Sequence, residues 1–359
     1  MRVLFAGGGT GGHLFPGVAV ADELRRRDPS AEVSFVGTAR GLEHRVVPAL
    51  GLPLDRIRSA GLKGKSPSAL ARGLALLPLS ALDAWRVLSA RRPEVVVGVG
   101  GYSSGPVLLM AALRGIPTLL MEQNAAPGFT NRTLARWVRA AAVSYEETLR
   151  YFPGIGVLTG NPVRKEFLQA MEAADEAPVG DVRMLIVGGS QGARAINQAM
   201  VAAAPRLAAA GGMAITHQTG ERDLASVREG YAATGLPATV AAFFDDMNRH
   251  LRDADVVVAR AGASTLAEIT VLGRASVLVP LPTAADDHQR KNARALEAAG
   301  AADVIEERDL TGERLAAHLL ALAADGPRRA AMAAKARALG RPDAAARVAD
   351  AIEALAGGR

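Results

Sequence analysis

Short apolar runs alternate with longer amphipathic stretches along the whole chain. In the first half, Val3–Ala6, Val33–Gly37, Val95–Val99, Thr118–Met121 and Val157–Thr159 read as strands. In the second half, Met184–Val187, Ala214–His217, Val240–Phe243, Val256–Ala259 and Ser276–Val279 do so. They are apolar at successive rather than alternate positions, as parallel strands covered by helices on both faces require. Repetition of strand and helix predicts open α/β sheets. The charge-free stretch 95–113 is broken by Gly-Gly-Tyr-Ser-Ser-Gly-Pro. It therefore reads as a buried strand, a loop and a helix start, not as the about 20 apolar residues of a membrane span.

The pattern also repeats. Leu4-Phe5-Ala6 leads into Gly7-Gly-Gly-Thr-Gly-Gly12, and Leu185-Ile186-Val187 leads into Gly188-Gly-Ser-Gln-Gly192. Each unit is a strand, a glycine-rich turn with one hydroxyl residue, and a helix, so two nucleotide-type folds in tandem are expected. The join falls near Gly160-Asn161-Pro162, and the Ala/Arg-rich tail from about Gly340 reads as a last helix. A length of 359 residues suits two domains at about 150 residues each. With no cysteine, a disulfide scaffold, a thiolate metal site and a cysteine nucleophile are excluded. Glycine already at Gly7 is too early for a signal-peptide core, so a cytoplasmic protein is expected.

Charge narrows the partners. Residues 1–160 carry 19 of the 42 basic and 11 of the 36 acidic residues, a balance of +8, against −2 in residues 161–359. A basic half calls for a nucleic acid, a phosphorylated substrate or an acidic lipid surface. Aromatic content of 4% without interleaved basic residues makes nucleic acid the weakest of these.

Glycine at a strand-to-helix turn lets backbone N–H groups approach an anion. Three such loops occur: Gly7–Gly12, Gly100–Gly105 and Gly188–Gly192. None ends in Gly-Lys-Ser/Thr, which argues against an ATPase or GTPase. Glycines 7, 9 and 12 form G-x-G-x-x-G, but the ribose-binding acid expected about 20 residues later is not convincingly placed, so a dehydrogenase fits poorly. His13 follows the first loop directly and is a candidate base or orienting group; the alternative is a packing or capping histidine. Glu268 follows Arg260-Ala-Gly-Ala-Ser-Thr-Leu-Ala and is expected on the first turn of a helix, where it can grip vicinal ribose hydroxyls; the alternative is a plain solvated glutamate. No Asp-x-Asp sits at a strand end, the nearest acidic pair being Asp245-Asp246, so no obligatory protein-bound metal and no cofactor are expected.

Taken together, these stretches resemble the MurG family of bacterial N-acetylglucosaminyltransferases. The similarity is carried by Gly8–Gly17, Gly98–Pro106, Glu122-Gln-Asn124, Thr159–Arg164, Gly188–Gly192, Phe243–Met247, Arg260–Glu268 and Asp287–Asn292, in the family's order over essentially the full length. The resemblance implies two Rossmann-like domains with parallel sheets facing a cleft, the GT-B fold. It implies inverting transfer of GlcNAc from UDP-GlcNAc to the MurNAc 4-hydroxyl of lipid I, giving lipid II. Residues 1–161 would bind the acceptor and the membrane, residues 162–340 would bind UDP-GlcNAc, and 341–359 would be a helix returning to the first domain.

By position, Phe244 would border the uracil, Glu268 the ribose and Ser190 the diphosphate. Asn124, Arg164, Gly262, Ala263, Ser264, Thr265, Leu266 and Gln289 would complete the donor contacts. Thr10, Gly11 and Gly12 are counted with the donor although they lie beside His13 on the acceptor side, where Gly8, Gly9, Gly101, Tyr102, Ser103 and Ser104 are also expected. His13 would be the base, and the helix after Gly188–Gly192, with Arg164, would stabilise departing UDP.

An acceptor anchored in a bilayer implies peripheral attachment to the cytoplasmic face of the bacterial inner membrane, with other cell-wall synthesis proteins as further partners. Leu70, Leu74, Leu77, Leu82 and Trp85, among Lys63, Lys65, Arg72, Arg86, Arg91 and Arg92, form the candidate membrane-binding stretch, with Pro78 expected to interrupt it. The same leucines could instead pack in the core. A UDP-GlcNAc 2-epimerase, a transferase acting on diacylglycerol and a non-catalytic UDP-sugar or polyisoprenyl-phosphate binder are the alternatives sharing the fold.

Overall fold

The computed structural model describes residues 1–39, 41–61, 67–172, 180–189 and 192–358, with backbone alone for 67–74. It divides into two compact units, Met1–Arg164 with Pro342–Arg359, and Lys165–Arg341.

The first unit holds seven parallel strands: β1 (Arg2–Gly7), β2 (Glu32–Gly37), β3 (Leu54–Arg56), β4 (Val95–Gly100), β5 (Thr118–Glu122), β6 (Ala140–Val143) and β7 (Gly156–Leu158). They lie in the order β3-β2-β1-β4-β5-β6-β7. The uniformly apolar strands divide between two cores by their two-residue period. Val3 and Phe5 of β1 join Val95, Val97 and Val99 of β4 on one face, while Leu4, Ala6 and Val96 face the other. Phe5 stacks on Phe35 at 5.1 Å between centroids.

Helix Gly11–Arg27 covers the first face through Leu14, Val18, Ala21 and Leu24. Its last turn carries Arg25, Arg26 and Arg27, cations placed against the negative end of the helix dipole. Arg27 bonds Asp350 at 2.6 Å and Glu353 at 3.0 Å on the terminal helix Ala344–Gly357. That helix buries Val348, Ala349 and Ile352 in the same core, so the chain's end completes the first unit.

Helix Pro67–Arg91 runs unbroken through Pro78, which does not interrupt it as the sequence suggested. Proline removes one backbone donor, and the anchoring of Ala84 and Leu88 in the second core holds the remainder. β3, β6 and, in the second unit, Asp303–Val304 escaped the sequence pattern: they are short, and polar, alanine-rich and two residues long respectively.

The second unit has six parallel strands: β8 (Val182–Val187), β9 (Met213–Gln218), β10 (Ala238–Ala241), β11 (Val256–Ala259), β12 (Ala275–Leu278) and β13 (Asp303–Val304). Their order is β10-β9-β8-β11-β12-β13. β10 ends at Ala241, two residues before the expected limit, so Phe243 and Phe244 lie in the loop that follows. In both sheets the strand order reverses beside the first strand, between β1 and β4 and between β8 and β11. Ligands of open α/β sheets bind at such switch points, outside the carboxyl ends of the strands.

Candidate active site

In the first unit two glycine loops leave the sheet at the switch point. Gly7 of β1 pairs in register with Gly100 of β4, and the Gly8 N–H donates to the Gly100 carbonyl at 3.3 Å. His13 stands on the first turn of helix Gly11–Arg27, directly above this junction. Gly100 has φ +100°, and a Cβ there would lie 2.6 Å from His13 Nδ1. Bare backbone at Gly100 is therefore what lets the imidazole seat against β4. Gln123, just beyond β5, holds the ring from the other side: its Oε1 is 3.2 Å from His13 Nδ1, and its Nε2 donates to the Val99 carbonyl at 2.9 Å.

Two buried carboxylates fix the surrounding loops. Glu122 accepts from the Asn124 N–H (3.0 Å), Asn124 Nδ2 (3.2 Å), the Gly128 N–H (3.0 Å) and Asn131 Nδ2 (2.8 Å). Sequence reasoning missed Glu43, which is fully buried and accepts from the Gly9 N–H at 2.7 Å, the Thr38 N–H at 2.9 Å and Thr38 Oγ1 at 3.2 Å. It ties the first glycine loop to the end of β2. Nothing in the sequence marks Glu43; in the fold a Cβ at Gly41 would clash with the Glu43 carboxylate, so glycine there makes the pocket.

The acceptor-side candidates separate by exposure. Tyr102 is 38% exposed, its hydroxyl 3.5 Å from Thr38 Oγ1. Ser103 and Ser104 are buried, and the Ser104 hydroxyl donates to the Gly101 carbonyl at 2.9 Å. Ser104 thus closes the turn, and neither serine presents its hydroxyl to solvent. Thr10 is the N-cap of helix Gly11–Arg27, with Gly11 and Gly12 opening it; Gly8 and Gly9 precede it in the loop. The Arg164 guanidinium lies 4.7 Å over the Phe15 ring of that helix.

In the second unit, β8 pairs Val187 with Ala259 of β11, so the turns after them leave side by side. Helices Arg194–Ala210 and Ala263–Leu272 start there, with their N-terminal N–H groups at the same sheet edge. Ser190 lies outside the described residues. Gly262 caps the second helix in extended backbone, followed by Ala263, Ser264, Thr265 and the buried Leu266. Glu268 is the sixth residue of this helix, half-buried, and so sits on the second turn, not the first as expected.

Gln218, at the end of β9, joins the loops: Nε2 donates to the Gly189 carbonyl at 3.2 Å, while Oε1 accepts from the Phe244 N–H at 2.9 Å. Phe244 packs on His250 at 4.2 Å between centroids. Gln289 Oε1 accepts from the Leu281 N–H at 3.0 Å. Among the described residues no cluster of three or more His, Asp or Glu is arranged to hold a metal ion.

The Glycosyltransferase family 28 N-terminal domain matches residues 3–143, and the Glycosyltransferase family 28 C-terminal domain matches residues 183–351. The chain belongs to glycosyltransferase family 28. A relative from Anaeromyxobacter sp. (strain Fw109-5), named UDP-N-acetylglucosamine–N-acetylmuramyl-(pentapeptide) pyrophosphoryl-undecaprenol N-acetylglucosamine transferase, is 51% identical over 98% of this chain and 92% of its own length. The protein of the same name from Myxococcus xanthus (strain DK1622) is 50% identical over the same shares. Acinetobacter baumannii MurG superposes with a TM-score of 0.81 at 33% identity, covering 98% of this chain and 99% of that one. The UDP-GlcNAc 2-epimerase from Neisseria meningitidis superposes with a TM-score of 0.68 at 13% identity, which is a likeness of fold alone. This family 28 member thus has the two-domain GT-B architecture that its motifs implied.

The candidate membrane-binding stretch is partly described. Leu77, Leu79, Leu82 and Trp85 project from helix Pro67–Arg91, with Leu113 60% exposed at the end of the neighbouring helix Ser104–Leu113. Arg114 lies 4.5 Å over the Trp85 ring, and Arg86 is exposed. The side chains of Leu70, Arg72 and Leu74, and residues Lys63 and Lys65, lie outside the described residues. No described helix is long and apolar enough to cross a membrane.

Proposed function

We infer that this protein transfers GlcNAc from UDP-GlcNAc to lipid I, forming lipid II and UDP in peptidoglycan synthesis. The observation that carries this reading is identity of about half the residues over 98% of the chain with relatives named for that transfer. In mechanism, His13 takes the proton of the MurNAc 4-hydroxyl as its oxygen attacks the anomeric carbon of GlcNAc from the side opposite the diphosphate, inverting that centre. The Gly188–Gly192 loop and the helix behind it receive the diphosphate: backbone N–H groups and the helix dipole stabilise the negative charge that develops on the leaving oxygen. Arg164 supplies a further cation. Glu268 accepts from the ribose hydroxyls, and Phe244 borders the uracil. Asn124, Ser190, Gly262, Ala263, Ser264, Thr265, Leu266 and Gln289 are the remaining donor contacts, with Thr10, Gly11 and Gly12. Gly8, Gly9, Gly101 and Tyr102 face the acceptor. This reading calls for no obligatory protein-bound metal.

The saturation of Glu43 and Glu122 by N–H donors supports transfer over epimerisation, which needs carboxylates available to exchange protons. The exposed Leu77, Leu82 and Trp85 beside Arg86 support peripheral attachment to anionic lipid, at the cytoplasmic face where lipid I is anchored. The test is UDP release with and without a lipid I analogue. Release that depends on the acceptor, and falls by about 10²–10⁴ in His13→Ala, is the expected result. Release at the same rate without acceptor would defeat the reading.

A further inference from the structure

We propose that Gln123 is a positioning residue that fixes the tautomer of His13, placing the ring proton on Nδ1 and the basic lone pair on Nε2. The inference rests on His13 being the base and names what makes one nitrogen of that ring the basic one.

The assignment follows from the donors and acceptors on the Nδ1 side of the ring. The Val99 carbonyl can only accept, so the amide atom 2.9 Å from it is the nitrogen of Gln123. The other amide atom, 3.2 Å from His13 Nδ1, is then the oxygen, which also can only accept. A neutral imidazole has one N–H, and here it must sit on Nδ1 to donate to that oxygen. The Gln123 side chain is itself buried, so it has no solvent-assisted freedom to turn over. The imidazole is confined on its other side by Gly100, where a Cβ would lie 2.6 Å from Nδ1. The first helical turn, the end of β4 and the residue after β5 thus converge on one ring.

The proton inventory closes during transfer. The hydroxyl O–H bond breaks as its oxygen bonds to the anomeric carbon, the bond from that carbon to the diphosphate oxygen breaks, and Nε2 takes the proton. The imidazolium keeps its Nδ1–H on the amide oxygen throughout, so Gln123 need not move. Among the described residues the two buried carboxylates nearby are engaged with the loops: Glu43 accepts from Gly9 and Thr38, and Glu122 from Asn124, Gly128 and Asn131. A neutral amide fixes the tautomer without adding a negative charge that would hold the proton on the ring after transfer.

The test begins with the unmodified full chain. Nitrogen NMR of histidine-labelled protein at alkaline pH, with His13 assigned by difference from His13→Asn, reads the tautomer directly. A proton on Nδ1 is expected; a proton on Nε2 overturns the proposal without any substitution at Gln123. The second arm is kinetic. Gln123→Glu puts a carboxylate beside the Nδ1–H and should move the acid limb of the kcat profile upward by about one to three pH units. Gln123→Leu should lower kcat about ten-fold or more while the KM for UDP-GlcNAc stays within about two-fold, because a wrong tautomer cannot accept the proton. An unmoved acid limb in a folded Gln123→Glu protein overturns the proposal. Undiminished turnover in His13→Ala instead overturns the base reading on which it rests, and the NMR tautomer distinguishes the two failures.

Discussion

Replacing Glu43 by glutamine removes one charge from a closed pocket while keeping the shape of the side chain. One carboxylate oxygen accepts from the Gly9 N–H at 2.7 Å, and the other accepts from the Thr38 N–H and hydroxyl at 2.9 and 3.2 Å. An amide can satisfy only one of these sides with its oxygen; its NH₂ group must face an N–H donor on the other. The substitution therefore loses one charge-assisted bond, about 1.5–3 kcal/mol, and reduces another to a neutral one, about 1 kcal/mol more. A loss of about 2.5–4 kcal/mol from the first unit is expected. Trp85 and Trp137, the chain's two tryptophans, both lie in that unit, so urea unfolding followed by tryptophan fluorescence reads it directly. Because the glycine loop beside His13 hangs on the Gly9 bond, kcat should fall about ten-fold or more with UDP affinity nearly unchanged. Stability within about 0.5 kcal/mol of wild type would refute the view that the carboxylate holds this loop.

Further outcomes follow from other parts of the chain. His217 is buried between Tyr231 and Asn197, and burial lowers its pKa to about 3. The unfolded chain takes up the proton near pH 6.5, so stability is pH-independent above that value and falls as pH drops towards 3. Hydrogen-exchange protection of Met213–Gln218 should weaken by about 2 kcal/mol between pH 7 and pH 5 from this group; constant protection would show that the histidine is not held neutral. Glu268→Ala should weaken UDP binding about ten-fold or more by calorimetry, from a charge-assisted pair worth roughly 1.5–3 kcal/mol; an unchanged affinity would remove Glu268 from the donor site. Binding to anionic vesicles should be salt-sensitive and weakened by Trp85→Ala and Arg86→Glu, each cation contributing about 1 kcal/mol near the surface; equal recovery in the supernatant with anionic and neutral vesicles would contradict it.

The sheets were legible because their central strands are apolar on both faces, as Val95–Val99 and Val256–Val258 show without any partner in view. Two of the four edge strands were not: Leu54–Arg56 carries two charges and Asp303–Val304 is two residues long, so register with a neighbour defines them more than composition does. His13 and Glu268 could be singled out because each follows a glycine turn. Glu43 could not, since a glutamate on a short helix looks solvated until Gly9 and Thr38 are folded around it. Burial of Ser103 and Ser104 was likewise invisible, because a serine beside glycine reads as an exposed loop hydroxyl whether or not the turn closes on it.

The most direct measurement is NMR and mass analysis of the product formed from UDP-GlcNAc and a lipid I analogue. Inverting transfer predicts one β-linked GlcNAc on the MurNAc 4-oxygen, with one UDP released per disaccharide formed. An α-linkage, or conversion of UDP-GlcNAc to UDP-ManNAc with the acceptor unchanged, would contradict it.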